Sequence, residues 1–287
     1  MARLISILIG AGFIFVLALS LFFTAKDAVQ APTVETAEHA FYEHPRAANL
    51  ASDGMFGRWD RQQLQRGLKV FQEVCAACHS LKYVAFRDFA DLGYNEAQVK
   101  TLAAGWPIEQ PTSNPDTGES MTRKNVPSDR VPSPYLNEIA ARAANNNALP
   151  PDASLLVKAR HDGGNYIYSL LTGYRKQEGY KNHDGEELLK KFPDVKTPQG
   201  LHFNPYFPNL NIAMPPPFTA NGQVTYEDGT APTVDQMSKD VAAFLTWTAE
   251  PNLESRHAAG LGALAFILIF CFLAWGAYKN VWRDLKH

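Results

Sequence analysis

The sequence predicts a mainly α-helical protein that has long irregular insertions and ends in a transmembrane helix. Two segments, 64–78 and 237–248, place apolar residues on one face at steps of three and four, as amphipathic helices do. Two others, 107–134 and 173–233, are rich in Pro, Asn and other loop-forming residues without a clear period. A charge-free run at 258–278 is long enough to cross a bilayer.

Composition and charge indicate a soluble middle between two apolar ends. The 287 residues are 46% apolar, which is enough for a core, yet the mean hydropathy of the whole chain is negative. Between residues 27 and 255, Asp and Glu outnumber Lys and Arg by 28 to 21. This acidic balance either serves solubility or attracts a basic partner.

The N-terminal segment 1–31 is predicted to be a secretory signal or a retained signal-anchor, because residues 4–23 carry no charge and follow Arg3. Its length favours retention, whereas small residues before Pro32 offer a cleavage site that the proline itself disfavours. Both alternatives stay open. Residues 32–57 mix Ala, Pro, Glu and His without a period, and we interpret them as a tether.

The C-terminal segment 256–287 is predicted to be a transmembrane anchor with a cytoplasmic tail. Lys279, Arg283 and Lys286 follow its apolar run, and such a positive excess marks the cytoplasmic side of a membrane. Residues 58–255 would then form one domain on the opposite, periplasmic face. A buried core helix is the alternative, but few globular helices are apolar on every side for so long.

The segment Cys75-Ala76-Ala77-Cys78-His79 is the most specific motif in the chain. Two cysteines at this spacing followed by histidine are typical of covalent attachment of one haem c, with the histidine as an iron ligand. A thiol–disulfide site or half of a zinc site would be the alternative. The only other cysteine, Cys271, lies in the apolar run, so a zinc site would lack its second ligand pair.

The haem motif is predicted to end an amphipathic helix. Asp60 suits the N-cap, and Gln63 stands where a capping box has its second member. Gly67 costs about 1 kcal/mol within a helix, so it indicates a place where another helix crosses closely.

Helical composition recurs elsewhere in the chain. The further predicted helices are 96–104, 136–144, a short one from Pro151 to near His161 that Asp162-Gly163-Gly164 stops, 165–172, and a last one that Thr233 or Asp235 caps and Pro251 ends. The long irregular stretch 173–233 is unusual unless it wraps something, and a haem would supply that surface.

A sixth iron ligand is expected if the haem only transfers electrons. Met214 is favoured because three prolines follow it and fix the backbone that presents its sulfur. Met237 suits a core position, and Met55 and Met121 stand in short polar loops. Histidine is the other possibility, chiefly His161 or His202.

Several further segments, together with the haem motif, resemble the cytochrome c1 family, the haem subunits of cytochrome bc1 complexes. The likeness runs from about residue 56 to the C-terminal span. The segments that carry it are Cys75-Ala76-Ala77-Cys78-His79-Ser80, Arg142-Ala143-Ala144-Asn145-Asn146, Leu149-Pro150-Pro151-Asp152, Lys158-Ala159-Arg160-His161, Tyr166-Ile167-Tyr168-Ser169-Leu170-Leu171-Thr172-Gly173-Tyr174, Asn204-Pro205-Tyr206-Phe207-Pro208, Met214-Pro215-Pro216 and Tyr226-Glu227-Asp228-Gly229-Thr230.

This resemblance implies a cytochrome c-like haem domain with Met214 as the sixth ligand and Asn145, Arg160 and Tyr166 near the haem propionates. It implies an electron-transfer subunit, not an enzyme on its own, that passes single electrons from a Rieske iron-sulfur protein to a soluble or membrane-anchored cytochrome c. Cytochrome b and a dimeric complex in the inner membrane of a bacterium are implied as well, and no nucleic acid.

Three alternatives remain at this point. A haem subunit of another oxidase or dehydrogenase would share the motif and the anchor. A haem peroxidase would keep the sixth position of the iron open. A structural assembly subunit would use the haem only to stabilise its fold.

Overall fold

The computed structural model describes residues 2–30 and 35–284 and has a mainly helical architecture, as the sequence predicts. The α-helices are α1 (Ala2–Gln30), α2 (Ala37–Phe41), α3 (Arg61–Val70), α4 (Glu96–Ala104), α5 (Glu138–Ala144), α6 (Gly163–Thr172), α7 (Leu188–Lys191), α8 (Val234–Ala249) and α9 (Leu253–Val281), and a 3-10 helix spans Phe86–Leu92. Two small antiparallel hairpins pair β1 (Gln110–Ser113) with β2 (Ser120–Arg123), and β3 (His202–Phe203) with β4 (Asn211–Ile212).

Helix α3 begins as the sequence predicts. The Asp60 carboxylate accepts a hydrogen bond from the Gln63 backbone N–H at 3.1 Å, which satisfies one of the unpaired donors of the first turn. The Gln63 side chain donates instead to Asp240 of α8, so the capping box is incomplete. After Val70 the backbone continues as a π-helical turn, Phe71–Cys75, a local widening that often marks functional sites.

Helices α3 and α8 cross at Gly67, as predicted. A Cβ at this position would lie 2.1 Å from the carbonyl oxygen of Asp240 and 2.6 Å from the Cβ of Phe244. Only glycine permits this approach. Beside the crossing, the fully buried Asp240 pairs with Arg66 at 3.0 Å, so its charge is compensated inside the protein.

The main core gathers aromatic rings around the α8 face that meets α3. Phe89 contacts Trp106, Phe244 and Trp247 with ring centroids 6.3 to 6.4 Å apart, and Phe86 meets Trp106 edge-on at 5.5 Å. Such offset and edge-to-face pairs stabilise a core beyond the area they bury. This core holds the haem motif's helix firmly in place.

The interpretation of residues 32–57 as a tether is wrong for 35–57; residues 31–34 lie outside the described part. Phe41 is buried against Tyr180 and Phe192, and Leu188 and Phe203 complete a second, smaller core. The stretch packs because its few apolar residues meet aromatic residues supplied by the distant irregular region. That region therefore has a core of its own.

Two other local predictions need correction. The stretch 107–134, predicted as loop, contains the β1–β2 hairpin, which Arg123 and Asp129 brace with a 2.6 Å ion pair. The short helix predicted between Pro151 and His161 is a series of turns, in which backbone bonds over three residues, such as Leu156 N–H to the Ala153 carbonyl and Lys158 N–H to the Leu155 carbonyl, replace most of the helical ladder. Gly163 begins α6, with Asp162 as its N-cap in the left-handed region.

Helices α1 and α9 have the length and apolar composition of membrane spans, and their side chains are exposed along the apolar parts. The sequence prediction for the C-terminal span is extended at both ends, from 258–278 to Leu253–Val281. α1 is a continuous helix to Gln30, and a signal sequence has the same properties.

Candidate haem site

The two cysteines of the motif lie where the π-helical turn tightens. The backbone N–H groups of Cys78 and His79 both donate to the carbonyl of Cys75, at 3.1 and 2.9 Å. Both cysteines are free and half-buried. Burial raises the pKa of Cys75 to about 12, which keeps the thiol protonated and argues against a low-pKa redox thiol.

The His79 ring is held in one orientation. Its Nδ1 lies 2.9 Å from the carbonyl oxygen of Pro151, and because a carbonyl only accepts, Nδ1 carries the proton. The Nε2 atom then keeps its lone pair, as a metal ligand must. Burial lowers the pKa of His79, which further favours this neutral form.

Asp152 fixes the segment that presents the Pro151 carbonyl. Its carboxylate accepts hydrogen bonds from the Ser80 hydroxyl at 2.7 Å, the Lys82 backbone N–H at 2.9 Å and the Ser154 backbone N–H at 3.1 Å. The histidine and its orienting carbonyl are therefore tied together by the same carboxylate. Hydrogen bonds of this kind, from residues that do not bind the metal themselves, fix the orientation of a metal-binding histidine.

Met214 directly follows the small β3–β4 hairpin and packs against the main core. The Tyr174 hydroxyl donates to the Met214 carbonyl at 3.0 Å, and burial raises the pKa of Tyr174, so that it stays a donor. Upstream, in the connection between β3 and β4, the buried Asn204 amide donates to the Leu170 carbonyl of α6 at 2.8 Å. The hairpin and the residue that follows it are thus fastened to α6 and to Tyr174, two residues beyond the end of α6.

The other candidates for a sixth ligand lie in different surroundings. Met237 is fully buried in the core, whereas Met55 and Met121 are exposed. His161 is exposed and its Nδ1 contacts Asp162 at 2.8 Å. His202 is partly buried, with its ring edge against Tyr174 at 6.4 Å.

The three residues predicted near the propionates have different surroundings. Asn145 donates to the Tyr135 hydroxyl at 2.9 Å and to the Ala141 carbonyl at 2.7 Å, which locks its amide at the end of α5. Tyr166 is buried in α6, and burial raises its pKa. Arg160 is exposed and lies beside Tyr166; in the described part of the chain no carboxylate pairs with it.

This donor set fits a covalently held haem. Two free thiols stand one turn apart, and the adjacent imidazole presents a free Nε2. The exposed Arg160 guanidinium, beside Tyr166, has no carboxylate partner among the described residues, and a propionate would supply one. A zinc site fits poorly, since within residues 2–30 and 35–284 no three His, Cys, Asp or Glu side chains are grouped for a metal.

Sequence reasoning missed the groups that position the ligands. Pro151, Asp152 and Tyr174 all lie in segments that carry the family resemblance, but their roles depend on contacts between distant parts of the chain. A carbonyl that orients a ring leaves no signal in residue type. The one indication in the sequence is the consecutive pair Pro150-Pro151 before Asp152, which predicts a rigid backbone at this position.

Comparison with known protein families gives one match that spans most of the chain. The model described as Cytochrome C1 family matches residues 50–285. The N-terminal helix α1 lies outside this match.

Curated relatives agree with the family match. The chain is 45% identical over 236 residues to cytochrome c1 of Rhodospirillum rubrum, covering 82% of this chain and 86% of that protein. It is 39% identical over 261 residues to the mitochondrial cytochrome c1 haem protein of Saccharomyces cerevisiae, covering 91% and 78%. A protein of Bradyrhizobium diazoefficiens named cytochrome b/c1 is 45% identical over 239 residues, which are 80% of this chain but only 34% of that protein.

Proposed function

The chain belongs to the cytochrome c1 family, and we propose that it holds one covalent haem c and relays single electrons from a Rieske iron-sulfur protein to a cytochrome c. One relative is named as the catalytic subunit of a mitochondrial cytochrome b-c1 complex and another is named cytochrome b/c1, and both names support a place beside cytochrome b in such a complex. Oxidation of quinol would belong to partner subunits. This chain would act as the electron-transfer subunit.

The observation that carries the proposal is the His79–Pro151 contact beside two free thiols. Cys75 and Cys78 would each add across one vinyl group and form thioether bonds. His79 would bind iron through Nε2, because Nδ1 is already committed to the Pro151 carbonyl. A haem so bound supplies reversible one-electron chemistry at its iron.

Met214 is the sixth ligand in this proposal. A thioether is neutral and favours ferrous iron, so a His/Met pair gives a relatively high potential. The hydrogen bond from Tyr174 supports this role, because it holds the backbone of Met214 against the core. A sixth position filled by Met214 would exclude peroxide and carbon monoxide, which distinguishes this proposal from a haem peroxidase.

Arg160, Tyr166 and Asn145 would bind the propionates. A guanidinium grips a carboxylate through two parallel hydrogen bonds, and Arg160 is exposed without a carboxylate of its own within the described ranges. Tyr166 keeps its proton because burial raises its pKa, so it can donate as well. Asn145 lies at the end of α5, where its amide donates to the Tyr135 hydroxyl and the Ala141 carbonyl, so it would exchange one of these acceptors for a propionate oxygen.

Helix α9 is the proposed membrane anchor, with the haem domain on the periplasmic side of a bacterial inner membrane. The positive residues Lys279 and Arg283 after the span support this orientation. A dimeric complex is proposed on the family resemblance alone.

Purification in mild detergent tests the proposal. We expect cytochrome b and a Rieske protein to co-purify, a mass increase equal to one haem on the denatured chain, and no carbon monoxide binding by the reduced protein. A mass increase of zero or two haems, or a reduced spectrum that shifts readily with carbon monoxide, would contradict it.

A further inference from the structure

A small loop, residues 51–58, carries two exposed apolar side chains at its tip. Met55 is 62% exposed and Phe56 is 75% exposed, although most large apolar residues of the domain are buried. Exposed aromatic residues at this level are not needed for the core. They therefore indicate a surface that a lipid bilayer or another protein covers.

The loop is closed by its own backbone. The N–H of Arg58 donates to the Ala51 carbonyl at 2.9 Å, and the N–H of Gly57 donates to the Gly54 carbonyl at 3.2 Å. Because these bonds fix both sides of the turn, Met55 and Phe56 are held outward instead of folding back onto the domain.

The base of the loop is fastened to the first turn of α9. The backbone N–H of Trp59 donates to the Glu254 carboxylate at 2.9 Å. Glu254 precedes the charge-free run at 258–278 by four residues, which is about 6 Å along a helix. The headgroup layer on each side of a bilayer is roughly 5 to 7 Å thick, so an α9 that spans a bilayer would place Trp59 at the headgroup level.

We propose that Met55 and Phe56 insert into the lipid interface that surrounds the outer end of α9. This inference requires only that α9 spans a membrane, and it adds a second membrane contact to the anchor. Aromatic and other apolar side chains are enriched at this depth, and the exposed Arg58 at the loop's base can reach lipid phosphates. The contact would fix the tilt of the haem domain relative to the bilayer.

Lipid is the favoured partner of the loop tip because the Trp59–Glu254 hydrogen bond joins the base of the loop to the first turn of α9. Leu136 provides a contrast: it is 93% exposed but lies just before α5, and within residues 2–30 and 35–284 no hydrogen bond joins it or α5 to α9. Leu136 should therefore stay in water.

Photolabelling of the haem-loaded full chain in lipid nanodiscs tests this proposal. The nanodiscs contain phospholipids with a diazirine on the acyl chain near the glycerol, and light inserts the carbene into whatever side chain it touches. Trypsin cleaves after Arg46 and Arg58 and releases peptide 47–58, while cleavage after Arg130 and Arg142 releases peptide 131–142 as the control.

We expect label at residues 55–56, label on α9 as the positive control, and none on peptide 131–142. The double variant Met55→Ser/Phe56→Ser should lose most label from peptide 47–58 while α9 keeps its own. Labelled α9 with peptide 47–58 no more labelled than peptide 131–142 would overturn the proposal. Label that is present in the isolated chain but disappears in the complete complex would assign the tip to a partner subunit, and would also overturn it.

Discussion

Replacing Gly67 by alanine should push α3 and α8 apart and destabilise the domain. The new methyl group would lie 2.1 Å from the Asp240 carbonyl oxygen and 2.6 Å from the Phe244 Cβ. Carbon and carbonyl oxygen approach no closer than about 3.3 Å even in favourable contacts, so the helices must separate by roughly 1 Å. Both obstacles belong to α8's backbone or to a Cβ, so no side-chain rotation relieves them.

The expected magnitude follows from two opposing effects. Overpacking a core costs about 1 to 3 kcal/mol, and a clash with backbone belongs at the upper end of that range. Alanine regains about 1 kcal/mol of helix propensity over glycine. A net loss of about 2 kcal/mol lowers the Tm of a domain of this size by roughly 4 to 8 °C.

Thermal unfolding of the haem-loaded protein, followed by circular dichroism at matched detergent, measures this effect. Gln62→Ala is the control, because Gln62 is exposed on the same helix and reports propensity alone. Adding Phe244→Ala should not rescue Gly67→Ala, since alanine keeps the Cβ. A Gly67→Ala protein as stable as the Gln62→Ala control would refute the close approach of α3 and α8 at Gly67.

Three further predictions address the site and the charges. Tyr174→Phe removes the donor to the Met214 carbonyl, so the ferric near-infrared sulfur-to-iron band should be lost at a lower temperature than in the parent. If the band is lost at the same temperature in both proteins, this hydrogen bond does not stabilise the position of Met214. Hydrogen bonds from Lys239 and Tyr168 lower the pKa of Asp235, so its stabilising effect is present above the unfolded-state value of about 3.9 and is lost as pH falls through the lower folded value. Urea unfolding should accordingly show the parent losing more stability than Asp235→Asn on acidification below about pH 4, and parallel pH curves would argue against this. Electron delivery to a basic cytochrome c should slow steeply as the salt concentration rises, because screening limits the electric field of the acidic domain to about 8 Å at physiological ionic strength. Stopped-flow rates that do not change with salt would indicate that the negative charge serves solubility alone.

The sequence predicted those parts of the fold that depend on neighbours in the chain. The Asp60 cap, helix Glu96–Ala104 and the Thr233 cap all rest on contacts within three or four residues, and the structure confirms each of them. Gly67 was also predicted correctly, because a glycine inside a helix has few explanations other than a close crossing.

Other parts of the fold could not be predicted from the sequence, because they depend on residues that are distant in the chain or leave no periodic pattern. The strand Ser120–Arg123 is exposed on both faces, so it shows no alternation of polar and apolar residues that could reveal it. Phe41 is buried only because Tyr180 and Phe192 come back to meet it. The orientation of His79 depends in the same way on a carbonyl that sequence spacing does not predict.

The central claim is that His79 and Met214 are the two iron ligands of one covalent haem. The most direct measurement is the ferric near-infrared sulfur-to-iron band, together with the midpoint potential, in Met214→Leu and in the matched control Met237→Leu. Met237 is fully buried in the core, where exchange of Met for Leu usually costs under about 1.5 kcal/mol. The account predicts that Met214→Leu keeps its haem, loses the band and falls in potential, whereas Met237→Leu keeps both. A band that survives in Met214→Leu and vanishes in Met237→Leu would contradict it.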